Sequence, residues 1–251
     1  MHVSLTAEEI FHFGPLTITN SLLTSWLVLG LLTIFAVLFR LRLKSAPAGL
    51  QNFIEIIVDG TQTILTSILE NAERARKILP LILTAFIFIL FNNWAGLLPG
   101  VGSIGFEHAT TASATAEDHP TLTPLFRAGT ADLSLTLTLA LIAVIFTQVI
   151  GIRANGVWGY LARFFQFQNP IKFFTGILEL ISEFAKVISF SFRLFGNVFA
   201  GEVLLTVILA LVPFLAPLPF YGLEIFVGLI QAFVFSILML VFCKLATTAT
   251  H

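Results

Sequence analysis

The stretch SFSFRLFGNVFAGE, residues 189–202, sits inside a long run rich in Phe, Leu, Ile and Val and contains one arginine, Arg193. A charge at membrane depth costs a few kcal/mol on insertion scales, so such a residue marks a functional site by default. Glu179, Lys186 and Arg193 recur every seven residues. On a helix they share one face. Glu183 stands three residues before Lys186, at pairing distance, so an ion-pair ladder accounts for these charges as far as Lys186. Arg193 differs: at three and four residues on either side stand Ser189, Phe190, Gly196 and Asn197, and no carboxylate. With Ala200 one heptad on, its face is a strip of small residues. Small residues let a second helix approach closely. The spacing therefore predicts that the partner of Arg193 lies on another chain, the alternative being a carboxylate elsewhere in this one.

A second set of groups suits proton exchange. Glu202 follows Arg193 by nine residues. At about 100° per residue it points to the opposite side of a helix. Glu224 and Gln231 are seven residues apart and share a face. An antiparallel hairpin across PFLAPLP, residues 213–219, sets Glu202 and Glu224 near its closed end and Gln231 nearer the level of Arg193. Two carboxylates in a poorly solvated site repel, and such a pair can bind and release protons. The alternative is a pair of acids at headgroup level, in contact with water. Asn92 and Asn93 close an apolar run on the same side and are candidates to line a wet path.

The elements that must position these groups are membrane helices. The chain has 251 residues, 57% hydrophobic and 11% charged, with mean hydropathy +0.97. A soluble domain is about a quarter charged. Apolar runs span about 20–39, 79–98, 132–152, 172–210 and 221–245, each long enough to cross a bilayer. The expected fold is an all-α polytopic membrane protein of about five to six helices, one membrane domain over 1–251. A net charge of −1 implies no nucleic-acid partner, and the single Cys243 excludes an intrachain disulfide. MHVSLTAEEI lacks a basic start and does not resemble a cleaved signal peptide. Residues 47–78 carry Gln51, Glu55, Asp59, Gln62 and Glu70, too polar to face lipid all round. They predict an interfacial or amphipathic helix closed by ERARK.

Basic residues set the orientation. Arg40, Arg42 and Lys44, then Arg74, Arg76 and Lys77, then Arg153, Arg163 and Lys172 fall on one side. The 99–130 loop, with Glu107, His108, Glu117, Asp118, His119 and one base, Arg127, falls on the other. The positive-inside rule places residues 1–19 and 99–130 outside and the C-terminus inside. Residues 172–210 would extend roughly 57 Å as helix, nearly twice the ~30 Å hydrocarbon core. That helix must kink near Gly196 or Gly201 or tilt strongly, and 171–245 is expected as a long, tilted antiparallel hairpin.

These residues carry a resemblance. SFRLFGNVFAGEVLL, LIQAFVFSILMLVF and FNNWAGLLPG resemble segments of subunit a of bacterial F-type ATP synthases. The resemblance implies a stator proton-channel subunit in the bacterial inner membrane, with no catalytic site and no cofactor or metal of its own. Its implied partners are a ring of small hairpin subunits c, peripheral-stalk subunit b and the rest of the complex. By the same resemblance Arg193 is the stator arginine, and Asn197, Glu202, Glu224 and Gln231 fall at polar positions of the ion path. Many members have one Glu and one His where this chain has Glu202 and Glu224. An inner half-channel is expected near Glu179, Glu183, Lys186 and Ser189. The rival is a self-contained channel or secondary transporter with Arg193 as an anion site, but no internal repeat of the transporter kind is present.

Overall fold

The structure is a computed structural model, and it describes residues 8–13, 16–44, 49–98, 101, 105–107, 122–162, 164 and 170–247. Six α-helices carry it: α1 (Asn20–Leu41), α2 (Leu50–Leu69), α3 (Ala72–Ala95), α4 (Leu133–Ala162), α5 (Pro170–Leu211) and α6 (Pro217–Thr247). All but α2 are long and apolar enough to cross a membrane. The chain is a multi-pass membrane protein. Two short antiparallel pairings, unforeseen from the sequence, lie outside the helices. β1 (Glu9–Phe13) pairs with β2 (Leu16–Thr19), and β3 (Gly105–Glu107) with β4 (Leu122–Pro124). His108, Glu117, Asp118, His119 and Arg163 lie outside the described residues, as does the start of the N-terminal segment, residues 1–7.

Local chemistry sets the helix ends. The Asn71 side chain accepts the Arg74 N–H at 3.0 Å, an N-cap bond that satisfies an otherwise orphaned donor. This cap corrects the expectation of one helix over 47–78. α2 stops where Glu70 takes a left-handed backbone conformation, φ 54°. ERARK therefore opens α3 instead of closing α2. Exposed Glu70 is held below the usual carboxylate range by the hydrogen bond and charge of Lys244, 2.8 Å away. On α2 the polar residues Gln51, Glu55, Asp59, Gln62 and Thr66 recur at helical spacing on one face. Asp132 caps α4 by accepting the Ser134 N–H at 2.9 Å. Prolines open α5 and α6, where the missing N–H costs nothing. α4 breaks at Gly156, φ 73°, just beyond the end of its apolar run near residue 152.

α5 is one helix of 42 residues, continuous through Gly196 and Gly201. Of the two expected ways to fit its length, the kink is not used. At 1.5 Å per residue it extends about 63 Å, so it fits a ~30 Å core only by tilting or by projecting beyond it.

The chain divides into two compact units. Unit 1 comprises Met1–Val37, Phe88–Leu135 and Leu194–Gln231. Its α3 and α6 are joined by Trp94, whose indole N–H donates to the Ile225 carbonyl at 3.0 Å. Unit 2 comprises Leu38–Ile87, Thr136–Arg193 and Ala232–His251. It centres on Phe190, whose ring packs edge-on against Phe235 and Phe242. Met239, Leu240 and Cys243 of the same unit are buried as well.

Candidate functional site

In unit 2, Arg193 is exposed on α5, and its Nη2 donates to the Ser189 hydroxyl at 3.3 Å. Among the described residues no carboxylate pairs with it. It borders a cavity of about 240 Å³ together with Ser182, Lys186, Ser189, Phe190 and Phe242. The other charges of this face behave as the ladder predicts. Lys186 donates to Glu183 Oε1 at 2.6 Å and lies 4.8 Å from the centre of the Phe242 ring. The second Glu183 oxygen accepts the Gln148 amide at 2.6 Å, and Gln148 in turn accepts the Tyr160 hydroxyl. The Glu183 carboxylate is therefore committed on both oxygens. Glu179 is half-buried and also engaged.

In unit 1, Glu202 meets a partner that sequence reasoning missed. The Arg127 guanidinium grips its carboxylate, Nε lying 3.0 and 3.1 Å from the two oxygens and Nη2 3.0 Å from Oε2. Such a fork gives geometric specificity as well as energy. The Arg127 side chain is 6% exposed, and that of Glu202 33%. Arg127 is placed from behind by its own N–H, which donates to the Thr24 hydroxyl at 3.2 Å. The one signal in the sequence was a lone base in an acidic loop, five residues before the capping Asp132. Glu8 adds a second carboxylate to this cluster. Burial and the Glu202 charge push it above its ordinary range, while Arg127 opposes them; burial is the largest effect.

Glu224 sits differently. Its carboxylate lies against the α5 backbone at Gly201, so that a Cβ there would fall on the carboxylate atoms. The carboxylate occupies the space that the missing side chain leaves. The two acids expected as one repelling pair therefore have distinct settings, Glu202 with an arginine and Glu224 against a bare helix turn. Gln231 and Asn197 are half-buried.

Asn92 and Asn93 are both buried. Asn93 donates to the Gly228 carbonyl at 2.9 Å and accepts the Thr130 hydroxyl at 2.6 Å, a clamp between α3, α6 and the turn at Gly129–Ala131. Asn92 donates to the Phe88 carbonyl at 2.9 Å, and its buried side-chain oxygen has no hydrogen-bond partner. That oxygen and the Ser25 hydroxyl occupy the space where Gly129 would carry a Cβ. No group of three His, Cys, Asp or Glu that could hold a metal occurs among the described residues.

The sequence model of the family described as ATP synthase A chain matches residues 22–244. ATP synthase subunit a of Campylobacter jejuni subsp. doylei is 34% identical over 247 residues, 96% of this chain and 97% of the relative. That of Moorella thermoacetica is 33% identical over 234 residues, 93% of each chain. That of Syntrophobacter fumaroxidans is 33% identical over 248 residues, 97% of this chain and 91% of the relative. Both the family model and these relatives span nearly the whole chain, including α5 with Arg193 and α6 with Glu224, and the chain belongs to the ATP synthase A chain family, the membrane-sector subunit a of F-type ATP synthase.

Proposed function

We propose that this chain is the stator subunit that couples proton flow to rotation, through two offset half-channels that load and unload carboxylates on a ring of small hairpin subunits c. The observation that carries this reading is Arg193, an exposed cation on α5 that donates to the Ser189 hydroxyl and pairs with no carboxylate among the described residues. An unpaired guanidinium on a strip of small residues suits a carboxylate presented by a second chain. α5 packs along the ring. The outer half-channel runs past Glu202, Glu224, Asn197 and Gln231. The inner one passes the cavity bordered by Lys186, Ser189 and Arg193, with the Glu183–Lys186 pair and Glu179 beside it. Residues 1–19 and 99–130 face outside and the C-terminus faces the cytoplasm. Peripheral-stalk subunit b holds the chain against the torque.

The mechanism follows from charge. A ring carboxylate protonated from the outer half-channel is neutral and can face lipid as the ring turns. On reaching Arg193 it meets a group that stays charged at any physiological pH. The guanidinium favours the ionised carboxylate and so favours proton release. It also repels protons that would otherwise leak directly between the half-channels. A lysine is a poor substitute, because a buried ammonium can lose its proton.

The test is Arg193→Ala in the whole ATP synthase reconstituted in vesicles. The complex should assemble, since a small residue suits the strip. Proton-driven ATP synthesis should be lost, while passive proton leak should persist or rise. Normal synthesis by assembled mutant complex contradicts the proposal.

A further inference from the structure

We propose that Glu8, on the N-terminal segment, is the group that takes up protons at the outer entrance, with the Arg127–Glu202 ion pair as its fixed neighbour. The inference deepens the proton-path reading above and rests on it. One guanidinium here grips Glu202 directly and acts on Glu8 by its charge. Among the described residues these three groups sum to −1 with both carboxylates ionised and to zero with one proton bound. The two oxygens of Glu202 already hold three close contacts with Arg127. Protonating Glu202 would break a bidentate charge-assisted contact. Glu8 has no such claim on it: its Oε2 is buried and has no hydrogen-bond partner. A buried carboxylate oxygen without a donor is costly when ionised and much less so when protonated.

Geometry holds Glu8 at this place. Its carbonyl accepts the Asn20 N–H at 3.1 Å, which ties the segment to the first turn of α1. The charged groups that act on it are Arg127, from the segment before α4, and Glu202, from α5. α1 turns neutral Asn20, Ser21 and Thr24 into the same buried region. Asp132 is engaged by the Ser21 hydroxyl at 2.7 Å and by the Ser134 N–H. Burial raises the affinity of Glu8 for a proton, in the direction that uptake near neutral pH requires. One proton is taken from outside water and one is handed inward, so the carboxyl returns to its ionised form and no other bond changes.

The experiment is proton-driven ATP synthesis by the whole complex in vesicles, followed against outside pH. Inside pH is constant, and the membrane potential is adjusted to hold the total driving force fixed. In the unaltered complex the rate should fall as outside pH rises through the Glu8 titration. Glu8→Gln, which keeps shape and removes the titration, should abolish that limb and leave a low, flat rate. Glu8→Asp keeps a carboxyl on a shorter arm and should restore a limb at a shifted pH. It also serves alone should Glu8→Gln fail to assemble. An unchanged profile in the assembled Glu8 variants, with synthesis still lost in Arg193→Ala, overturns the role of Glu8 and leaves the proton path standing. Synthesis surviving in Arg193→Ala overturns both.

Discussion

Replacing Gly201 by Ala tests how closely function depends on the position of one carboxylate. A Cβ at Gly201 would fall on the Glu224 carboxylate, and the nearest atoms are all the far end of that flexible side chain. The carboxylate must therefore move by about 1 Å or more to reach an ordinary contact near 3.5 Å. Two energies oppose each other. Gly→Ala inside a helix gains about 1 kcal/mol. Forcing Glu224 off its rotamer costs roughly 0.5–1.5 kcal/mol. The two nearly cancel, so assembly and heat stability of the complex should change little. Transport should not be spared, because a displacement of ~1 Å at a reacting group can cost on the order of 10²-fold. Gly201→Val, with two more carbons, should lower transport further and begin to impair assembly. The assay is proton-driven ATP synthesis in vesicles, normalised to assembled complex. A rate within twofold of the unaltered complex for Gly201→Ala refutes the reasoning, because Glu224 would then not need its present place.

Two further perturbations separate structural from transport roles. Arg127→Gln leaves Glu202 without its partner and should destabilise the complex by about 2–3 kcal/mol, below the ~3–5 kcal/mol of a fully buried pair because Glu202 is one-third exposed. Adding Glu202→Gln should restore much of this loss, read as a recovery in thermal unfolding midpoint. Asn93→Ala breaks the clamp to Gly228 and Thr130 and should cost roughly 2–4 kcal/mol. Thr130→Val, which removes one of the two bonds, should cost less in the same thermal assay. Loss of transport at full stability in Asn93→Ala would instead make that residue part of the path.

The parts of the site legible in the sequence are those whose partners lie within one helix. The Glu183–Lys186 pair and the lack of a carboxylate at helical spacing from Arg193 both follow from three- and four-residue spacing; the structure has the pair, and among the described residues no carboxylate pairs with Arg193. Tertiary pairs gave no such signal. Arg127 and Glu202 lie 75 residues apart, and the Asn93–Gly228 clamp closes 135. Helix spacing says nothing about which residue of another segment arrives opposite. The hairpin register was partly legible: the prolines at 213–219 set the turn, and Gly201 meeting Glu224 follows from antiparallel packing across it. The break between α2 and α3 was readable in principle, since Asn71 is a good N-cap, but the polarity runs unbroken across it and hides the boundary. The third apolar run ends near residue 152, so it gave no sign of the helical turns that follow the break at Gly156.

The central claim is that Arg193 faces a carboxylate carried by another chain. Single cysteines at Ser189 and Asn197, with the native Cys243 replaced by Ser, test it most directly. Cys243 is buried, and its Sγ lies 3.7 Å from the Thr147 hydroxyl, so the change is small and leaves α5 untouched. Each variant is paired with a cysteine next to the acidic residue of the ring subunit and oxidised in the membrane. The account predicts efficient crosslinks between the two chains at both positions. Crosslinks that form only within this chain, with cysteines placed on α4 or α6 and none reaching the ring, would contradict it.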